Sequence, residues 1–253
     1  MAVSALVAVK RCLDSSARLR LLADGSGVDA LSGKLTMNPY CEVALEAALQ
    51  AKKEGKLSSI HAVTVGGAGA ADVLRTALAL GADRATHIVH SAPDDQLAVA
   101  RLLAALITRE AVPPELVLLG KLAADTDAGV TGPLLASLLG WPLATAVTRM
   151  ELDSTHVQVV HEADEGAAAL QLGLPAVLTA DLRLAQPRFA SLAATLKAKK
   201  VAILEVPAAE LVGGLAAQWS TVRVRELPAR PPARHVHDAA ELLAVLRERG
   251  AIP

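Results

Sequence analysis

The chain has 253 residues and a formal net charge of −1, with 25 basic and 26 acidic side chains. A chain of this length buries a sizeable core without dividing in two. Its near-zero charge argues against a dedicated nucleic-acid binder, which usually has a strong basic excess. The composition is 53% hydrophobic but only 2% aromatic, so we expect a core of many small helix–sheet contacts.

Cysteine usage and hydropathy exclude two further classes. Cys12 and Cys41 are too few for a disulfide framework in a chain of this length. No uninterrupted apolar run reaches the roughly 18 residues needed to cross a bilayer. The N-terminus enters a strand-like run without a charged segment and cleavage site. We therefore expect neither secretion nor membrane insertion.

Strand-like and helical runs alternate through the first half of the chain. The strand-like runs are residues 5–9, 60–65, 86–89 and 116–119, and the helical runs are residues 39–53, 72–80 and 97–107. Asn38 and Pro39 predict a helix start with an Asn side-chain cap, and Gly81 predicts a helix end. This alternation predicts a parallel, doubly wound α/β sheet.

The pattern changes near Trp141 and Pro142. Residues 157–161 and 167–172 predict added antiparallel strands, with a hairpin connection at 153–156. The charged residues Glu162, Asp164 and Glu165 predict a hairpin tip. After Leu204 the sequence turns to Pro, Gly and Arg, and Gly213-Gly214 together with residues 227–233 predict an extended arm or linker. We therefore divide the chain into an α/β domain at 1–226 and an arm with a short helix (239–249) at 227–253.

Three elements could hold a nucleotide, because ligands of open α/β sheets bind at the carboxyl ends of the strands. They are Ala8, residues 38–41, and the loop 125–133 that leads into an apolar run. Small residues let backbone N–H groups approach a phosphate, and a helix N-terminus favours an anion. The alternative is a capped helix after a Gly-rich loop. Neither G-x-G-x-x-G nor a Walker motif is present.

No catalytic or metal-binding spacing stands out. The seven histidines are scattered along the chain: His61, His87, His90, His156, His161, His235 and His237. None has a partner at a spacing typical of a metal site or a catalytic triad. We expect neither a metal nor catalytic residues in this chain.

Residues 181–200, named here the recognition segment, predict a contact surface. Pro187 breaks any helix or central strand, and Phe189, the chain's only Phe, stands in a polar stretch. Leu192 lies outside any amphipathic stripe and precedes a cluster of lysines. A loop with one apolar anchor and a basic flank is typical of a docking surface. The alternative is an ordinary loop whose Phe enters the core.

The same segment carries a resemblance to a known family. The run Asp181-Leu182-Arg183-Leu184, then Pro187-Arg188-Phe189-Ala190-Ser191-Leu192 and Lys197-Ala198-Lys199-Lys200, resembles the signature of electron transfer flavoprotein β subunits. Further matches lie at 7–11, 37–42, 74–84 and 118–121. The resemblance covers nearly all of residues 5–204, and residues beyond it match loosely.

The resemblance implies a Rossmann-like fold of the adenine-nucleotide-binding type, with AMP in this chain and FAD held mainly by an α subunit. The implied nucleotide contacts are Ala8, Asn38, Pro39, Tyr40, Cys41, Val65, Asp127, Ala128, Gly129, Val130, Thr131, Gly132, Pro133, Leu134, Leu135, Ala136, Ser137 and Leu138. The implied partner-docking residues are Arg188, Phe189, Leu192, Lys197, Lys199 and Lys200.

The implied function is an electron carrier of fatty acid oxidation. Such a heterodimer takes electrons from acyl-CoA and related dehydrogenases and passes them to a membrane quinone oxidoreductase. The flavin supplies the chemistry. The implied location is the cytoplasm of a bacterium or the mitochondrial matrix of a eukaryote. Two alternatives remain: a stand-alone adenine-nucleotide-binding module of the regulatory or stress type, and a bifurcating flavoprotein with a second FAD in place of AMP.

The chain departs from the family pattern in two places. Ala193 and Ala194 replace the Pro and Asn that follow the recognition Leu in many members, which leaves that stretch less rigid or more helical. Ser15 stands where relatives carry a Tyr near the flavin. The run Asp181-Leu182-Arg183-Leu184 favours the AMP-holding group over the bifurcating one.

Overall fold

The computed structural model describes residues 3–14, 16–29, 33–90, 95–215, 219–230 and 232–253. The strands are β1 (Val3–Ala8), β2 (Arg11–Leu13), β3 (Leu35–Met37), β4 (Leu57–Gly66), β5 (Arg84–Val89), β6 (Leu116–Gly120), β7 (Leu143–Leu152), β8 (His156–Ala163), β9 (Gly166–Gly173), β10 (Ala176–Ala180) and β11 (Leu204–Pro207). The helices are α1 (Pro39–Lys53), α2 (Ala71–Leu80), α3 (Gln96–Arg109), α4 (Thr131–Leu139), α5 (Leu192–Ala198), α6 (Ala208–Leu211) and α7 (Ala239–Glu248).

A nine-stranded sheet organises the described part of the chain, in the order β11-β5-β4-β1-β6-β10-β7-β8-β9. Pairing is parallel from β11 through β7. It becomes antiparallel where β7 meets β8 and where β8 meets β9. The chain moves outward from β1 to β5 and then returns to β6 on the other side of β1. The doubly wound, mostly parallel sheet with added antiparallel strands is therefore confirmed.

Helices cover the two faces of the sheet and divide the core. One apolar cluster joins α1 and α2 to the sheet, and the other joins α3 and α4 to its opposite face. The largest fully buried side chains are all Leu or Ile, as the near-absence of aromatic residues predicts. Such a core needs close backbone approach. A Cβ built on Gly132 of α4 would lie 2.3 Å from Cγ2 of Thr179 in β10.

The predicted helix start at Asn38 is correct, but the predicted side-chain cap is wrong. Helix α1 begins at Pro39 and makes no side-chain cap hydrogen bond. The backbone carbonyl of Asn38 accepts from the N–H groups of Cys41 and Glu42, while its side chain bonds to a neighbouring loop. The amide is therefore used for tertiary structure.

The structure differs from the sequence prediction in several places. Residues 204–207, for which no strand was predicted, form β11 on the edge of the sheet, a position where Pro is tolerated. Residues 192–198, expected in a loop, form α5, which agrees with the helical option given by Ala193 and Ala194. Glu162 lies in β8 instead of at the hairpin tip, and its Oε2 lies 2.7 Å from Nη2 of Arg183.

The C-terminal part forms few contacts with the sheet. Residues 219–230 and 232–236 are irregular, and Pro231 of the predicted arm lies outside the described residues. Helix α7 follows, and Asp238 caps its start with a side chain that accepts from the N–H of Glu241. Among the described residues, no helix has the length and apolar character needed to cross a membrane.

Candidate functional site

A pocket opens at the carboxyl ends of β1, β4 and β6, where the strand order reverses. This is the position at which open α/β sheets bind ligands. Its empty space is about 770 Å³ when the open solvent at its mouth is counted. The doubly wound order creates this crevice, because connections leave β1 and β6 in opposite directions along the sheet.

The inner wall of the pocket is apolar. Val63 and Val65 come from β4, Val99 and Leu103 from α3, and Leu119 from β6. Each of these side chains also belongs to, or packs against, the core cluster on the α3 face. An apolar slot of this kind suits a flat ring system, whose polar edge would form hydrogen bonds with backbone groups.

Asn38 fastens the rim of the pocket to the start of α1. Its Nδ2 donates to the carbonyl of Leu122 at 2.8 Å, and its Oδ1 accepts from the N–H of Ala124 at 3.1 Å. The residue is only 1% exposed. Because both ends of the buried amide are paired with the loop after β6, that loop is held in one position above the pocket.

The loop before α4 and the first residue of the helix line the pocket. Ala128, Gly129, Val130 and Thr131 line it, and α4 has no side-chain cap. Gly129 has a φ of 64°, a left-handed conformation that favours glycine. The first N–H groups of a helix lack partners within the helix. The loop and the start of α4 therefore form a site suited to a phosphate.

Two lysines at the rim are each paired with a carboxylate. Nζ of Lys10 lies 2.8 Å from Asp125, and Nζ of Lys121 lies 2.9 Å from Asp181. Burial opposes the ionisation of Asp181, but hydrogen bonds from Arg183 and Lys121 outweigh it and lower its pKa to about 2. An incoming anion therefore meets lysines whose charge is already largely compensated.

The two cysteines lie close to the pocket as buried thiols. Cys41 lines it, and its Sγ accepts a hydrogen bond from Asn38. Burial raises the pKa of Cys41, and burial together with the Asp125 carboxylate raises the pKa of Cys12 to about 12. Both thiols are therefore protonated near neutral pH and act as small apolar groups.

The structure brings part of the sequence-derived nucleotide list together at this pocket. The lining residues from that list are Ala8, Asn38, Cys41, Val65, Ala128, Gly129, Val130 and Thr131. Of the rest, Leu135 and Ala136 lie in the core, and Ser137 and Leu138 are exposed farther along α4. Pro39, Tyr40, Asp127, Gly132, Pro133 and Leu134 lie beside the lining residues in sequence but outside the lining itself.

Sequence reasoning missed several lining residues. They are Val9, Lys10, Val63, Gln96, Val99, Leu103, Leu119, Gly120, Lys121, Leu122 and Ala123. Lys121 and the two residues after it directly follow a parallel strand, so the strand-end rule could have found them. Gln96, Val99 and Leu103 come from α3, and no local motif marks which turn of that helix faces the crevice.

The recognition segment forms a second candidate site. Phe189 is 99% exposed and Leu192 is 76% exposed, so the interpretation that this Phe enters the core is wrong. Leu192 begins α5, and Ser191 caps that helix by accepting from the N–H of Ala194. Lys197, Lys199 and Lys200 are also exposed, at or beyond the end of α5. Exposed apolar and basic side chains therefore occur together along this segment.

Arg188 occupies a different environment from the other expected docking residues. Its Nε lies 2.8 Å from Oε2 of Glu46 in α1, and its Nη2 also bonds to that carboxylate. Glu46 is only 3% exposed. Arg188 therefore connects the recognition segment to α1.

Two of the histidines, His61 and His87, make internal contacts. Nδ1 of His61 lies 2.8 Å from Oε1 of Glu110, and Nε2 lies 2.8 Å from Oγ1 of Thr86. Nε2 of His87 bonds to the carbonyl of Gly66. Within the described residues, no group of three or more His, Cys, Asp or Glu side chains is arranged to hold a metal ion. Ser15, at the position where relatives carry a Tyr near the flavin, lies outside the described residues.

A doubly wound sheet with an apolar pocket at its switch point defines an α/β protein of the kind that binds a ligand outside its strand ends. Residues 28–211 match the family model described as electron transfer flavoprotein domain. The chain belongs to the electron transfer flavoprotein family, among its β subunits. Membership implies association with a flavin and with an α subunit.

Relatives of distant origin match the chain over nearly its whole length. A rice protein (Oryza sativa subsp. indica) named electron transfer flavoprotein subunit beta, mitochondrial, is 41% identical over 251 residues. Proteins named electron transfer flavoprotein subunit beta from pig (Sus scrofa) and from Bradyrhizobium diazoefficiens are 42% and 38% identical, over 252 and 247 residues. Each alignment covers 98% of both chains.

Proposed function

We propose that this chain, paired with its α subunit, carries electrons from acyl-CoA and related dehydrogenases to a membrane quinone oxidoreductase. The observation that carries the proposal is the exposed apolar pair Phe189 and Leu192 beside the exposed lysines of the recognition segment. Apolar side chains that fill a partner's pocket dominate interface energy, and flanking charges speed the encounter. A stand-alone nucleotide-binding module has no need of this surface.

The proposed nucleotide in this chain is AMP. The apolar slot of Val65, Val99 and Leu119 fits the adenine ring, and the N–H groups around Gly129 and Thr131 fit the phosphate. The rim lysines are compensated by Asp125 and Asp181, which favours a ligand of modest charge over a polyphosphate. The proposed contacts are those members of the sequence-derived list that line the pocket.

The proposed flavin is a single FAD held mainly by the α subunit. When bound, it supplies the redox chemistry, and the protein supplies position and electrostatics. This chain then contributes no catalytic residue, and it is an electron-carrier subunit instead of an enzyme in its own right. The proposed location is the mitochondrial matrix in a eukaryote or the cytoplasm in a bacterium, in keeping with the mitochondrial and bacterial relatives.

Nucleotide extraction tests the cofactor assignment. The heterodimer is purified from co-expressed subunits and denatured, and the released nucleotides are separated by chromatography and counted per heterodimer. We expect one FAD and one AMP. Two FAD and no AMP would make the protein a bifurcating type. The absence of any nucleotide beyond the FAD of the α subunit would remove the site proposed for this chain.

A further inference from the structure

The recognition segment is tied to the rest of the domain on both sides of its exposed apolar residues. On the N-terminal side, the Arg188 guanidinium meets the Glu46 carboxylate through two nitrogen atoms. On the C-terminal side, Nη1 of Arg75 in α2 donates to the carbonyl of Ala198 at 2.9 Å and to the carbonyl of Val201. Phe189 and Leu192 lie between these two ties.

The Arg188–Glu46 ion pair stabilises the fold, and breaking it so that Arg188 could bind a partner protein would be unfavourable. Glu46 is 3% exposed, and its other side-chain hydrogen bond comes from the amide of Gln50 in the same helix. If Arg188 turned toward a docking protein, it would leave a buried carboxylate without its counter-ion, which is strongly unfavourable. The bidentate geometry also fixes the direction of the chain that leads into Phe189.

The Arg75 tie fixes the other end. Helix α5 has seven residues, too short to be stable without outside contacts. Ser191 caps its start, Ala198 is buried at its end, and Arg75 accounts for two carbonyls at and beyond that end. The helix also packs against α2, while Leu192 and Leu196 remain 76% and 52% exposed.

We propose that Glu46, Arg188 and Arg75 are positioning residues for docking: they hold Phe189 and Leu192 in the conformation that the dehydrogenase binds, without touching the dehydrogenase themselves. The inference rests on the proposed function of the recognition segment. It changes the role expected for Arg188 from a docking charge to an internal tie. A pre-ordered segment binds more tightly because less conformational entropy is lost on docking.

A double-mutant cycle separates the two roles of Arg188. Glu46→Gln, Arg188→Gln and the double variant are prepared as FAD-loaded heterodimers. Electron transfer is measured from an acyl-CoA dehydrogenase reduced by its acyl-CoA substrate, as KM for the heterodimer and as kcat. We expect each single change to raise KM about tenfold with kcat nearly unchanged, and the double variant to be no worse than the weaker single.

Two controls distinguish a local effect on the recognition segment from a general loss of folding. Glu54→Gln makes the same substitution at an exposed position at the end of α1 and is expected to leave KM unchanged. Hydrogen exchange of the Glu46→Gln heterodimer should show faster exchange in residues 188–198 and unchanged protection in β1 and β4. Arg75→Gln should reproduce the rise in KM, with faster exchange concentrated at 194–201.

Three outcomes would overturn the inference. If Arg188→Gln raises KM while Glu46→Gln leaves it unchanged or lowers it, Arg188 contacts the dehydrogenase directly. If both variants keep the original KM while Leu192→Ala raises it, the segment docks without needing the ties. If Phe189→Ala and Leu192→Ala also leave KM unchanged, the proposed docking function fails, and the inference fails with it.

Discussion

At the scale of single residues, Asp181 joins the two candidate sites. Its carboxylate pairs with Lys121 at the pocket rim and with Arg183 at the start of the recognition segment. Its N–H also donates to the carbonyl of Val147 in β7. The buried carboxylate has two cationic partners. It stabilises the folded state through them only while it is ionised.

This pairing predicts a specific loss of stability in acid. The pKa of Asp181 falls from its ordinary 3.8 to about 2 on folding, so its contribution is complete above the ordinary value and is lost as the pH falls toward about 2. Urea unfolding near pH 6 and near pH 3 measures this. Asp181→Asn should lower the free energy of unfolding at pH 6. It should also reduce the difference between the free energy of unfolding at pH 6 and that at pH 3.

The matched control is Asp164→Asn, in the exposed turn between β8 and β9. It should leave the difference in stability between the two pH values close to that of the original chain. If Asp181→Asn behaved in the same way as this control, the ion pairs around Asp181 would not contribute to folding.

At the scale of elements, sequence prediction succeeded where a motif carries its own start or end signal. Helix α1 was predicted at its observed bounds because Asn38-Pro39 sets its start and a charged, helix-forming run extends to Lys53. Helix α2 was found because Gly81 ends it at a φ of 127°. In each case a few neighbouring residues suffice to define the boundary.

Elements that depend on tertiary contacts were not predicted from the sequence. Strand β11 has four residues and owes its existence to pairing with β5, far away in sequence. Helix α5 depends on Arg75, more than a hundred residues earlier in the chain. The side chain of Asn38 bonds to the loop 122–124 instead of capping its own helix, and only the folded sheet places that loop within reach.

The two ends of α4 offer a matched test of the proposed phosphate site. Gly129 before the helix and Gly140 after it have similar φ values, 64° and 67°. Gly129→Asp and Gly140→Asp therefore introduce similar backbone strain, but only Gly129 lines the pocket. We expect Gly129→Asp to lower the AMP content per heterodimer about tenfold or more, through repulsion of the phosphate and strain in the loop.

Gly140→Asp should retain AMP close to one per heterodimer. Equal AMP loss in both variants would mean that general destabilisation, instead of local repulsion, releases the nucleotide. Unchanged AMP in both would place the phosphate elsewhere in the heterodimer.

At the scale of the whole molecule, the C-terminal arm stands apart from the sheet. Leu227 at its start is 89% exposed, and in the stretch that leads to it Val222 is 95% exposed and the N–H of Val224 donates to the carbonyl of Gly25. Helix α7 buries Val245 but leaves Leu242 and Leu243 about half exposed. The arm buries too few apolar side chains to form an independent core. We therefore propose that the arm packs on the α subunit.

Deletion of the residues after Pro228 tests this proposal. Heterodimer affinity should fall, because the exposed apolar side chains of the arm and α7 lose their cover on the partner. The circular dichroism of the remaining chain should change only by the loss of one short helix. An unchanged affinity would contradict a role for residues 229–253 in assembly.

The central claim is that electrons enter the heterodimer through docking at the recognition segment, and rapid-mixing kinetics test it most directly. An acyl-CoA dehydrogenase reduced by its substrate is mixed with the FAD-loaded heterodimer, and flavin reduction is followed by absorbance. The original protein should be reduced rapidly. Leu192→Ala should be reduced at least about tenfold more slowly at equal concentrations, and more salt should slow the original reaction.

Thermal unfolding of the same samples completes the measurement. Because Leu192 is 76% exposed, its truncation should not incur the roughly 2–5 kcal/mol lost when a buried Leu becomes Ala, so the two melting temperatures should nearly coincide. Equal reduction rates for the original heterodimer and Leu192→Ala, or no reduction of the original flavin at all, would contradict the account.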